Sequence, residues 1–190
     1  MNIALRASKR NAVIVLDHPG GIDDLIASFA LSLIDRGLRV RGVIQTVHWS
    51  RNGNCYPALF DLDSCRPYPL NRHCEGGVGI GAGHTLSAAL RNIAETGADL
   101  IVFDRFSDEE AVGRGAAAEI RLLLESETPL LAIVKRPQYG AWKTLAGETG
   151  IELPARMESL HDWVFSVFSG LHGEASGVKT ATRAVLKDMH

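Results

Sequence analysis

Cysteine is scarce in this chain: three in 190 residues, Cys55, Cys65 and Cys74, all within one stretch that is also rich in Gly, Pro, Asn and His. An odd count confined to one segment argues against a disulfide framework. Neither sign of charge dominates, since 20 basic against 22 acidic residues leave a formal charge of -2. That balance gives no electrostatic footprint for duplex nucleic acid or an anionic membrane, and no nucleic-acid partner is expected. No apolar run approaches the roughly 20 residues needed to span a bilayer. The start, MNIALRASKR, lacks the apolar core of a secretory signal, so the expected location is cytoplasmic. What remains is ordinary: 46% hydrophobic and 22% charged residues, over a length that supports one substantial core. A single domain is expected over residues 1–169, with a tail from 170 to 190 that carries a weak helical pattern from Thr180 to Met189.

The run NAVIVLD, Asn11 to Asp17, suits a strand buried on both faces. Leu25, Ile26, Phe29, Leu33 and Ile34 then recur at helical spacing between Asp23 and Arg36, and Gly37 supplies the stop. RVRGVIQTV, Arg39 to Val47, reads as the next strand and closes a βαβ unit. Tyr56 to Leu70 reads as an inserted β-hairpin joined around Asp63 and Ser64. Five glycines in the nine residues Glu75 to Gly83 mark a loop, followed by a helix from Thr85 to Thr96 capped by His84 or Thr85. Further on come a strand over Ala98 to Asp104, a helix over Glu109 to Glu125 and a strand over Pro129 to Lys135. A short helix over Tyr139 to Ala146, a strand over Gly150 to Pro154 and an amphipathic helix over Met157 to Ser169 complete the body. This alternation predicts an α/β fold, a three-layer sandwich with a mainly parallel sheet.

The chemistry concentrates where strands end. LDHPGGIDDLI, Leu16 to Ile26, passes from strand through a glycine turn to helix, the context of a phosphate-binding loop. The lysine and hydroxyl of GxxxxGK[ST] are missing, and Asp23 and Asp24 stand in the first turn, where carboxylates favour the helix dipole but repel phosphate. One of them is expected to cap the helix. The alternative is that Asp17, His18, Asp23 and Asp24 surround a cation or a cationic ligand group. In DRFSDEEAVGRG, Ser107 to Glu110 reads as a capping box. Arg105 and Arg114 present planar forks suited to a carboxylate or an oxyanion, at the edge where open α/β sheets bind ligands. They suit internal pairing with Asp23 or Asp24 equally, and that reading stands slightly ahead.

The stretches DHPGGIDDLIASFA, RGLRVRGVIQ, GADLIVFDRFSDEEAVGRG and PLLAIVKRPQYGAWKTLAG resemble an uncharacterised bacterial domain family of degenerate P-loop proteins, itself similar to THEP-type nucleoside triphosphatases. The resemblance covers about the first four fifths of the chain and implies a P-loop-NTPase-like fold and a link to molybdenum metabolism. It also implies what has been lost. A THEP-type enzyme would carry lysine and hydroxyls where this chain has Ile22, Asp23 and Asp24, and an Asp-Glu pair where it has Asp104 and Arg105. Asp104 fills the magnesium-organising role; Arg105 stays protonated and cannot serve as the base.

The candidate ligand site therefore comprises Asp17, His18, Gly20, Gly21, Asp23 and Asp24 from the first loop. Gln45 and His48 after the second strand join it, with Asp104, Arg105, Ser107 and Arg114 from the third loop. No residue is assigned a catalytic role and no cofactor is named. A small anion or a nucleotide is the expected partner, in a binding or regulatory role. The competing readings are a nucleoside triphosphatase or transferase with an atypical loop, in which Lys135, Arg136 or Arg105 substitutes for the missing cation, and a protein-interaction module. Cys55, Cys65, His73 and Cys74 form a candidate metal set, although nine and eight residues separate successive cysteines and no CxxC pair exists. Buried apolar cysteine is the commoner role. Trp142 and Trp163 sit at helical spacing among apolar neighbours and read as core anchors, whereas Trp49 reads as a rim residue.

Overall fold

The structure, a computed structural model, describes residues 10–18, 21–49, 55–64, 66–69, 82–147 and 150–172. Its strands are β1 (Asn11–Leu16), β2 (Val40–Trp49), β3 (Cys55–Asp61), β4 (Arg66–Pro69), β5 (Leu100–Phe106), β6 (Leu130–Lys135) and β7 (Gly150–Glu152). Its α-helices are α1 (Ile22–Asp35), α2 (Ala82–Thr96), α3 (Asp108–Ala111), α4 (Ala117–Glu125), α5 (Tyr139–Ala146) and α6 (Met157–His172), with a 3-10 turn over Arg136–Gln138.

The strands form one sheet in the order β4-β3-β2-β5-β6-β1-β7. The neighbours from β2 to β7 are parallel, and β3 and β4 extend the sheet as antiparallel strands. β6 lies at the middle of the parallel part, and Leu130 to Val134 are all fully buried, the Leu, Ile and Val side chains among them each contributing roughly 1.5–3 kcal/mol. Alternate residues of β1 feed opposite faces: Ala12, Ile14 and Leu16 join the core under α1 and α6, while Val13 joins the core under α2, α4 and α5. The result is a three-layer sandwich consistent with a P-loop-NTPase-like fold.

α1 buries Ile22, Ile26, Phe29, Ala30 and Leu33 along one stripe. It stops at Gly37, φ 88°, where Gly37 N–H donates to the Ile34 carbonyl at 2.8 Å and Leu38 N–H to that of Leu33 at 3.1 Å, a Schellman closure. Gly42, φ 130°, is required by the β2–β5 approach, because a Cβ there would collide with the Val102 carbonyl. The hairpin turn uses Asp61, whose Oδ1 accepts from the backbone of Asp63 at 2.8 Å and of Ser64 at 3.3 Å. Trp142 packs edge-on against Phe106 with ring centres 5.4 Å apart, and it and Trp163 are buried, as their spacing predicts.

The βαβ unit of β1, α1 and β2 stands, with β5 and β6 lying between its two parallel strands. Several sequence expectations need correction. The single helix expected over Glu109 to Glu125 is two, α3 and α4, because Gly113 and Gly115 adopt φ of 77° and 57°. α2 begins at Ala82, so His84 and Thr85 lie inside it rather than at its cap. β2 runs on to Trp49 because β3 pairs along it as far as Trp49 opposite Cys55. The tail pattern at Thr180 to Met189 and most of the glycine loop lie outside the described residues.

Candidate functional site

The connections after adjacent strands β1 and β6 leave on opposite sides of the sheet: α1 packs on one face and α5 on the other. Such a divergence opens a crevice at the carboxyl ends of the two strands, the place where open α/β sheets hold ligands. Each loop bordering it contributes charge.

From β1 come Asp17 and His18, both exposed, and Gly21, which occupies the N-cap position of α1 with φ 73°. No side chain caps the helix, so the expectation that Asp23 or Asp24 does so is wrong. Both lie one step further in, in the first turn, where the positive end of the dipole favours them. Asp24 is exposed, whereas Asp23 is drawn across the crevice by Arg105, whose Nη2 donates to Asp23 Oδ1 at 2.7 Å.

Asp104 and Arg105 come from the end of β5, at a register irregularity in the pairing with β6. Asp104 is fully buried; its Oδ2 accepts from the Gln45 backbone N–H and its Oδ1 from Arg105 Nε, both at 3.1 Å. Burial pushes its carboxyl up to about 6, against the opposing pull of Arg105 and the Gln45 N–H, and the nearby Asp23 adds to the upward push. Gln45 thus contributes through its backbone N–H. The Arg105 side chain is only 10% exposed, so its guanidinium is positioned from beneath by a carboxylate it cannot easily leave.

On the other flank, Arg136 follows β6 and donates twice to Asp17, at 2.7 and 3.2 Å, with Glu152 of β7 at 3.7 Å. Arg136 holds the Asp17 carboxyl below its usual range. The ring of Tyr139 lies beneath two cations, Arg136 at 5.9 Å and Lys143 at 5.0 Å. The ion pairs Arg105–Asp23 and Arg136–Asp17 therefore both span the crevice.

The remaining residues of the third loop bond within it. Ser107 forms the expected capping box with Glu110. The buried Glu110 carboxylate accepts from the Ser107 N–H at 3.1 Å and hydroxyl, and reaches forward to the Ala116 N–H at 3.2 Å, tying α3 to α4. Arg114 is gripped by Glu109 at 2.8 and 3.1 Å and joins none of the hydrogen bonds around Asp104. This grip lowers the Glu109 carboxyl. Gly20, Cys65, His73 and Cys74 lie outside the described residues, and of His48 and Cys55 only the backbone, in β2 and β3, is described. Among the described residues no group of three or more His, Cys, Asp or Glu is placed to hold a metal ion. Nor is any helix long and apolar enough to cross a membrane.

Sequence reasoning ranked Arg136 only as a substitute cation and did not find Glu152. The available signal was position, because Arg136 directly follows a strand that is apolar from Leu130 to Val134 and ends in Lys135.

Among curated proteins the chain is similar to the molybdenum import ATP-binding protein ModC 2 of Bradyrhizobium diazoefficiens, 27% identical over 162 residues. The match takes in 81% of this chain but 18% of that protein, so the chain spans less than a fifth of the relative's length. No solved structure matches. Residues 11–163, which carry the described sheet and the Asp23, Asp104, Arg105, Asp17 and Arg136 groups above, match the family described as "Protein of unknown function (DUF2478)", and the chain belongs to that family.

Proposed function

We propose that this protein binds a small anion at the carboxyl edge of its sheet, in a binding or regulatory role, and that it is not an efficient nucleoside triphosphatase. The observation that carries the reading is Arg105: a nearly buried guanidinium, fixed by the fully buried Asp104, at the mouth of the crevice between β1 and β6. A planar fork held in this way is suited to a tetrahedral oxyanion. The uncapped amino terminus of α1 directs backbone N–H groups toward the same region.

The case against hydrolysis rests on the same loops. No lysine occurs between Lys9 and Lys135, so α1 offers none to neutralise a triphosphate. The residue after Asp104 is arginine, which holds its proton at neutral pH and cannot activate water. On this reading the likeness to THEP-type triphosphatases is one of scaffold, with both loops degraded. The name of the relative, a molybdenum import protein, supports molybdate or tungstate as the anion. The same name supports a second reading in which nucleotide is the ligand, held by Arg105 with Lys135 or Arg136 in place of the missing lysine.

A thermal-shift and calorimetry panel with molybdate, tungstate, sulfate, magnesium ATP and magnesium GTP, each salt-matched, decides between them. At about 100 times its dissociation constant a ligand adds roughly 2.7 kcal/mol of stability, a shift of several degrees for a chain of this size. Molybdate or tungstate is expected to give that shift, and Arg105→Ala to abolish it. A shift with nucleotide alone replaces the oxyanion reading with the nucleotide one. No response to any of them removes both and leaves the interaction module.

A further inference from the structure

The crevice is crossed by two carboxylates of one short loop. Asp23 sits on Arg105 at 2.7 Å, and Asp17 sits on Arg136 through two bonds of 2.7 and 3.2 Å. Each arginine that could receive an anion is thus already occupied by an anion of the chain itself. We propose that Asp23 is a built-in counter-anion: it holds the site shut, and an oxyanion enters by displacing its carboxylate from Arg105. The inference rests on the anion-binding reading above and assigns Asp23 a role within it, opposite to that of a ligand-binding residue.

Three observations support displacement in place of joint binding. Arg105 donates from Nε to Asp104 and from Nη2 to Asp23, and of these two carboxylates only Asp23 is within reach of solvent. An anion added without moving Asp23 would share one guanidinium with two carboxylates, of which Asp104 is fully buried. Finally, Asp23 is 36% exposed where Arg105 is 10% exposed, so the carboxylate is the partner free to move into water.

The pairing lowers the observed affinity by the fraction of molecules in which Arg105 is released, because only those bind. Replacing Asp23 by asparagine removes the charge and keeps the size. Asp17 should matter less, since both it and Arg136 are about half exposed, where an ion pair adds little.

The experiment measures molybdate and sulfate binding by calorimetry to the wild type, Asp23→Asn and Asp17→Asn. Asp99→Asn, which pairs with Arg39 away from this crevice, controls for the unit change in net charge. Asp23→Asn is expected to bind at least about tenfold more tightly than the wild type, a difference worth about 1.4 kcal/mol. Asp17→Asn should gain less, and Asp99→Asn should match the wild type. If the wild type binds and Asp23→Asn binds equally or more weakly, Asp23 is not a counter-anion and anion binding itself stands. The same conclusion follows if Asp99→Asn gains as much as Asp23→Asn. If neither the wild type nor Asp23→Asn binds either anion at millimolar concentration, the anion-binding reading falls, and this inference with it. Circular dichroism of each variant excludes loss of the fold as the cause.

Discussion

Replacing Asp104 by asparagine should make the variant gain on the wild type as the pH rises. The carboxyl is lifted from its ordinary 3.8 to about 6 because the folded chain strips water from it. Between those values the folded protein keeps a proton that the unfolded chain has released, so stability is greatest at the acid end and is lost as pH rises through about 6. Each pK unit is worth 1.36 kcal/mol, so the ionised group costs the fold about 3 kcal/mol at neutral pH and about 1 kcal/mol near pH 4.5. Asparagine keeps the shape and a carbonyl acceptor but has no proton to lose. Whatever it forfeits in bonding to Arg105 or Gln45 is largely common to both conditions. Relative to the wild type, the variant should therefore gain about 2 kcal/mol between about pH 4.5 and 7.5. Urea unfolding followed by the fluorescence of the buried Trp142 and Trp163 reads this directly. With a slope of about 2 kcal/mol per molar urea, the midpoint difference should move by about 1 M. A difference that stays flat across this range would refute the reasoning, because the carboxyl would then titrate as if in water.

Arg105→Ala leaves Asp104 with one hydrogen-bond donor, and it should cost about 3 kcal/mol at neutral pH and clearly less near pH 4.5, where Asp104 holds a proton; equal losses at both values contradict this. Glu110→Ala strands the Ser107 and Ala116 N–H groups, with an expected loss of about 2–4 kcal/mol and faster amide exchange over residues 107–117. Unchanged exchange there would remove the proposed link between α3 and α4. Gly42→Ala forces a methyl against the Val102 carbonyl and should cost about 3 kcal/mol or more, so a wild-type unfolding midpoint would show that β2 and β5 can part without penalty.

The layers were legible because burial writes itself into the sequence. NAVIVL, LIVFDRF and LLAIVK are runs that only a sheet covered on both faces can accommodate. α5 could be read from its apolar spacing, and the hairpin from its turn residues. The helix over 109–125 misled because Ala, Glu and Leu favour helix on both sides of the break. What splits it is Glu110 bonding forward to Ala116 while two glycines take left-handed backbone. The capping expectation failed for a different reason. Asp23 is claimed by Arg105, which lies 82 residues away in sequence; the sequence offered that pairing, but not that it would take Asp23 in place of a cap. Gln45 shows a third limit: it enters the cluster through a backbone group that every non-proline residue owns, so its identity carries no signal.

The two ends of the sheet bear on how the protein behaves at high concentration. An edge strand exposes unpaired backbone groups that a neighbouring molecule can adopt as a template for aggregation. Among the described residues one boundary is β7, three residues long, and the other is β4, whose four residues include Pro67 and Pro69. Proline has no N–H to offer, and three residues present too little backbone to seed a new strand. Within the described residues, a sheet whose interior is almost wholly apolar thus ends at each border in a stub, where a longer edge would invite growth.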